Sequence, residues 1–277
     1  MMKEETGYFS SFDDTKIFFR AWVKEVPHAL IMVHGYGEHS GRYAELVEDL
    51  KDLPLSFFIA DLRGHGKSSG DRVFVDRFDE FIVDLYVFRS FIETKLSGQA
   101  KKFILFGHSL GGLITTHAVL KHQEQWESLI LSSPYFGLPV CNWCMRQLTK
   151  VLKVFGSKVI WSNPVDPFFM SHDPERVKRY KTDPHIQRKI TINLAGEMMK
   201  AAKLALRKAG KIQKPVFILA AGDDRIVSLS NTREFYHRLR SADKKIEILN
   251  GFYHELFQER NREKPVGILK GYLNSQI

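Results

Sequence analysis

The stretch KKFILFGHSLGGLITTHAVLK, residues 101–121, decides the fold. Residues 103–106 are a short apolar run that reads as a buried strand, and residues 110–121 carry a helical pattern. Between them, Gly107-His108-Ser109-Leu110-Gly111 fits G-x-S-x-G. Strand, tight turn and helix together make a nucleophile elbow, in which the turn holds the serine exposed. Gly107 and Gly111 let the turn approach its neighbours closely, and the helix N-terminus behind Ser109 favours developing negative charge. The plainer alternative is a strand–helix turn in which Ser109 merely caps the helix.

Working outward, similar short apolar runs occur at 29–33, 55–60, 129–131, 216–220 and 246–249. Helical patterns over 43–53, 78–96, 230–240 and 262–274 alternate with them. Near the N-terminus, strands at 7–11 and 16–23 flank a turn at Asp13-Asp14. Buried strands alternating with helices predict an α/β protein with a mostly parallel sheet, whose ligands gather at the carboxyl ends of the strands. Residues 134–210 break the alternation. They show no clear strand and are too many for a plain connection. They read as a helical cap inserted into a core made of residues 1–133 and 211–277.

A serine hydroxyl needs a base to take its proton. In this topology the order expected along the chain is serine, acid, histidine. Ala221-Gly222-Asp223-Asp224 follows the run at 216–220, and Asn250-Gly251-Phe252-Tyr253-His254 follows the run at 246–249. His254 is therefore the candidate base, and Asp223 and Asp224 compete to orient it. The tetrahedral intermediate needs two N–H donors. Leu110 follows the serine and offers one. Tyr36, in the loop His34-Gly35-Tyr36-Gly37 after the run at 29–33, offers the other.

Composition narrows the class. Of 277 residues, 44% are hydrophobic and 21 are Phe, which excludes a disordered chain. Two cysteines exclude a disulfide scaffold and suit a reducing compartment. Cys141 and Cys144 form a C-x-x-C with no further cysteines to complete a zinc site and no preceding strand of thioredoxin type. The opening MMKEETGYFS lacks a signal-peptide core, and no run approaches the roughly 18–20 apolar residues of a membrane span. A soluble, cytoplasmic protein is expected. The net charge is +9, yet residues 140–212 alone hold 15 Lys and Arg against 5 Asp and Glu, a net +10. Such a positive face looks toward something anionic.

The set HGYGEHSGRY (34–43), DLRGHGKSSG (61–70), GHSLGG (107–112), GDDRIV (222–227) and GFYHEL (251–256) resembles the monoglyceride lipase and lysophospholipase group of α/β-hydrolases over most of the chain. The resemblance implies an α/β-hydrolase fold with an eight-stranded sheet and a helical lid. It implies a triad of Ser109, Asp224 and His254, oxyanion donors at Tyr36 and Leu110, and no cofactor or metal. Glu38 and Arg42 match positions that hold the substrate's glycerol end in monoglyceride lipases; the alternative is an ion pair that only fixes the loop. The chain departs from the group at Phe257, where some relatives carry a second histidine, and at Tyr36, where a small residue is common. Arg63-Gly64-His65-Gly66 lacks the spacing of a phosphate loop and reads as a turn that buttresses the oxyanion loop.

Two apolar stripes run through the cap: Leu148, Val151, Leu152 and Phe155, then Ile192, Ala195, Met199, Ala202 and Leu206. Basic residues flank both, and Trp161, Phe168, Phe169 and Met170 lie between them. Packing on the core explains most of this pattern. The sharper reading is a basic, aromatic-rich cap that touches an anionic membrane peripherally and lines an acyl tunnel. Nothing resembles a nucleic-acid module. The expected activity is serine ester hydrolysis of single-chain lipids, monoacylglycerols or lysophospholipids, through an acyl-enzyme. A carboxylesterase or thioesterase with soluble substrates is the second reading, and a non-catalytic lipid-binding module the third.

Overall fold

The computed structural model describes residues 3–97, 102–139, 158–162 and 166–277. Ten strands are described: β1 (Glu4–Ser10), β2 (Lys16–Trp22), β3 (His28–Val33), β4 (Ser56–Ala60), β5 (Lys102–His108), β6 (Ser128–Ser132), β7 (Ile160–Ser162), β8 (Lys189–Thr191), β9 (Val216–Ala221) and β10 (Lys244–Leu249). Eight form one sheet in the order β1-β2-β4-β3-β5-β6-β9-β10, while β7 and β8 make a separate antiparallel pair. In the large sheet β2 runs antiparallel to β1 and β4, and every pairing from β4 to β10 is parallel. This is the α/β-hydrolase fold expected above.

The seven described α-helices are α1 (Ala44–Asp49), α2 (Asp79–Lys95), α3 (Leu110–Lys121), α4 (Pro174–Thr182), α5 (Ile192–Lys208), α6 (Leu229–Arg238) and α7 (Glu263–Gln276). Side chains alternate across β3, so Ala29, Ile31 and Val33 join one buried cluster while Leu30 and Met32 join the other. Helices α2, α3 and α5 pack on the first face, and α1 and α7 on the second. Buried on both faces, these strands read as continuous apolar runs. Ser228 caps α6 through the Asn231 N–H, Thr191 caps α5 through the Leu194 N–H, and Asp173 caps α4.

Three local expectations change. The helix expected over 43–53 shrinks to α1, because the chain turns at Leu50 and Pro54 disfavours helical backbone at Leu53. Within 134–210, the three-residue strands β7 and β8 were too short to leave a pattern. In α5 the buried seam runs through Leu194, Met198, Ala201 and Ala205, with Ile192 and Ala202 of the expected stripe buried beside it and Ala195 and Met199 only half-buried. That seam joins the main core, and the Ala201 carbonyl lies 2.9 Å from His117 Nε2 of α3. The first cap stripe and both cysteines lie outside the described residues. Among those described, no helix is long and apolar enough to cross a membrane.

Candidate active site

Parallel pairing sets the loops after β3, β5, β9 and β10 on one edge of the sheet. Val33 is level with Gly107 and Ala221 with Leu249. The four sequence-predicted loops therefore converge.

At the elbow, Ser109 has φ +50°, a region that non-glycine residues enter only under strain. It stands at the N-cap of α3, yet its side chain makes no capping hydrogen bond. The capping alternative thus fails. Its backbone is fixed instead, with its N–H donating to the Ser132 carbonyl and its carbonyl accepting from Tyr135. A Cβ on Gly111 would come within 2.1 Å of the Val33 carbonyl oxygen, and one on Gly107 within 2.4 Å of the Gly111 oxygen. Both glycines are needed for close approach.

His254 is buried, with Nδ1 2.7 Å from Asp224 Oδ2. The other carboxylate oxygen of Asp224 accepts from the Ile226 and Val227 N–H groups at 2.8 and 2.9 Å. Asp223 is exposed. Of the two competing aspartates, Asp224 meets the histidine. Burial works against charge at both sites, but their attraction and hydrogen bond win: His254 is raised above its usual range and Asp224 lowered below. An orienting carboxylate on Nδ1 leaves Nε2 as the proton-accepting atom.

A Cβ on Gly35 would lie 3.3 Å from Ser109 Cβ, so the loop carrying Tyr36 runs against the elbow. Among the described residues, neither the Tyr36 nor the Leu110 N–H donates to a backbone carbonyl in the surrounding turns. The turn at 61–66 braces this loop. Asp61 Oδ1 accepts from the Ser40 N–H at 2.6 Å, and the Leu62 N–H donates to His34 Nε2 at 2.9 Å.

Glu38 and Arg42 are engaged inside the protein. Glu38 Oε2 accepts from the Gly35 N–H and the Tyr43 hydroxyl, and Arg42 reaches Glu38 at 3.5 Å and Glu255 at 2.5 Å. Tyr180 of α4 lies over the Arg42 guanidinium at 5.1 Å. Sequence reasoning missed Glu255; its place directly after His254 was the available signal. Glu255 is fully enclosed, and burial raises its pKa despite Arg42. Its Oε1 has no hydrogen-bond partner, and the residue lines a cavity of about 20 Å³, room for one water. Phe257 is buried against Phe106, 5.7 Å between centroids, and lines the same cavity. His108 is pushed down to about 3 by burial and by His254 beside it. Among the described residues no cluster of His, Cys, Asp and Glu is placed to hold a metal ion.

The family Hydrolase_4, serine aminopeptidase S33, matches residues 24–261. The chain belongs to this family of α/β-hydrolases. It is 29% identical to the Escherichia coli protein YnbC over 92% of the chain, and 30% identical to human monoglyceride lipase over 89% of the chain and 82% of that protein. The chain spans 44% of the length of YnbC and 28% of a Dictyostelium discoideum abhydrolase domain-containing protein. The crystal structure of a Paleococcus ferrophilus monoacylglycerol lipase superposes with a TM-score of 0.83 at 30% identity, each chain covered in full.

Proposed function

We propose that this S33-family hydrolase cleaves carboxylic esters of single-chain lipids, with Ser109 as nucleophile, His254 as general base and acid, and Asp224 as the group that orients the histidine. The observation that carries the reading is the 2.7 Å contact between His254 and Asp224 at the sheet edge that also bears the strained Ser109. His254 Nε2 takes the Ser109 proton as Oγ attacks the ester carbonyl. The Tyr36 and Leu110 N–H groups stabilise the oxyanion. His254 returns the proton to the leaving alcohol, and water activated by the same histidine releases the fatty acid.

The relatives' names, monoglyceride lipase and monoacylglycerol lipase, support the reading of an ester rather than a peptide substrate here, and of a monoacylglycerol among lipid esters. The basic residues Lys178, Arg179, Lys181, Arg188, Lys200 and Lys203 are exposed on 178–203, which supports peripheral contact with an anionic membrane or a lysophospholipid headgroup. For Glu38 and Arg42, bonds already satisfied within the protein favour the loop-fixing role over direct contact with the substrate.

The test is fatty acid release from monoacylglycerol, lysophosphatidylcholine, diacylglycerol and short p-nitrophenyl esters, with Ser109→Ala as blank. Long-chain monoacylglycerol is expected to be the best substrate. Turnover by Ser109→Ala equal to the parent would remove the proposed nucleophile, and activity on short esters alone would replace the lipid substrate by a soluble one.

A further inference from the structure

The loop that carries the proposed oxyanion donor Tyr36 is held from two sides. On the core side are Asp61, the Leu62 N–H and Glu38. On the other side, residues 183–189 of the insert meet it at three successive points. The Tyr36 hydroxyl donates to the Lys189 carbonyl. The Gln187 N–H donates to the Gly37 carbonyl at 2.8 Å. His39 Nε2 lies 2.9 Å from Asp183 Oδ2. Because His39 Nδ1 accepts from the Gly41 N–H, its proton sits on Nε2 and is donated to Asp183.

The fit is close. Gly37 has φ +75°, and a Cβ there would stand 2.4 Å from the Gln187 carbonyl oxygen. The insert segment is anchored in turn. The Asp183 carboxylate accepts from the His185 N–H at 2.8 Å, Thr191 bonds the Val73 carbonyl at 2.7 Å, and Asn193 bonds the Val75 carbonyl at 2.5 Å. A rigid path therefore runs from the core through 183–193 back to the loop beside Ser109.

We propose that His39, Asp183 and the Tyr36 side chain are positioning residues that hold the Tyr36 N–H in place from the insert side. The inference rests on the reading of Ser109 and Tyr36 given above. Oxyanion stabilisation depends on donors being fixed before charge develops, so a loosened loop lowers transition-state stabilisation while leaving ground-state binding intact.

The experiment measures kcat and KM on p-nitrophenyl butyrate for the parent, Tyr36→Phe, Asp183→Ala and Asp183→Asn, together with the affinity of a trifluoromethyl ketone, whose adduct carries an oxyanion. Tyr36→Phe keeps the backbone donor and removes one anchor. Tyr36→Phe and Asp183→Ala are each expected to lower kcat by about fivefold to tenfold with KM within about twofold, and to weaken the ketone in step. Asp183→Asn is expected to recover only part of the loss, since its one amide oxygen can accept from His39 only by turning its NH2 toward the His185 N–H. Parent-like kcat in both Tyr36→Phe and Asp183→Ala would overturn the inference, as would a change in KM with unchanged affinity for the ketone. If Asp183→Ala does not fold, Tyr36→Phe alone decides. A fluorophosphonate probe on the parent separates the two levels: failure to label Ser109 rejects the underlying reading, whereas labelling with parent-like kcat in the variants rejects only this inference.

Discussion

His254 and Asp224 share one hydrogen bond inside the protein, and the second carboxylate oxygen of Asp224 is bound by two backbone N–H groups of its own loop. The aspartate is thus held in place independently of the histidine. Asp224→Asn is expected to lower kcat by roughly 10³- to 10⁴-fold, because an amide can stabilise the wrong tautomer. Asp223→Asn, on an exposed side chain, is expected to stay near the parent. Steady-state kinetics of the two variants checks this; equal losses would move the acid role away from Asp224.

The same pair determines the pH dependence. His254 must be neutral to accept the Ser109 proton, and Asp224 holds its pKa above the ordinary 6.5. Ester turnover should therefore rise with pH through an apparent pKa higher than 6.5. A kcat/KM profile between pH 5 and 9 measures it, and a midpoint below 6 would contradict the pairing.

Stability should show the opposite origin of charge. Burial depresses His34 to about 4 and His65 and His108 to about 3. Below pH 6.5 the unfolded chain binds protons at these sites that the folded chain refuses, so stability falls as pH drops from 6.5 toward 4. At pH 5 each histidine costs on the order of 2 kcal/mol. Burial depresses His28 and His117 in the same direction, while His254 and Glu255, both raised, oppose the loss. Melting temperatures at pH 7 and 5 should differ accordingly, with the lower value at pH 5.

Arg42 stands between two buried carboxyl groups. Arg42→Met leaves both without their cation and is expected to destabilise the fold by about 3–5 kcal/mol. Glu255→Gln, at a site where burial favours the neutral form, is expected to cost only about 1 kcal/mol. Denaturant unfolding distinguishes the two variants. An Arg42→Met protein of parent stability whose KM rises only for glycerol esters would restore Arg42 as a head-group residue.

Gly111→Ala should destabilise more than any substitution on the open face of α7. Its Cβ would meet the Val33 and His34 carbonyl oxygens at 2.1 and 2.6 Å, and backbone cannot yield cheaply, whereas a Cβ on Gly267 meets nothing. Thermal melts of Gly111→Ala and Gly267→Ala make the comparison.

Much of the fold was legible because it depends on short-range pattern. Apolar runs closed by polar loops mark strands buried on both faces, and G-x-S-x-G between strand and helix marks the elbow. The alternation of those elements specifies a parallel sheet, and a parallel sheet brings every β-to-α loop to one edge. Serine, aspartate pair and histidine could therefore be assigned to that edge from their order along the chain. The short strands β7 and β8 were not legible, since three residues carry no period, and the stripe of α5 was right at Ile192 and Ala202 but off the seam at Ala195 and Met199, because an apolar residue fits either side of a helix's buried edge.

By itself the sequence determined the fold class, the loops that meet, and the residue types available for acyl transfer. The loop residues alone left Asp223 and Asp224 open, and the family resemblance favoured Asp224; the tertiary contact of Asp224 with His254 agrees with it, and tertiary structure alone decided that Glu255 rather than solvent holds Arg42 and that residues 183–189 are bonded to the loop beside Ser109. The reason is physical. Local pattern reports which face of an element is buried, but the partner of a charged side chain is chosen by distance and desolvation. Both arise only when segments as far apart as Arg42 and Glu255 are packed together.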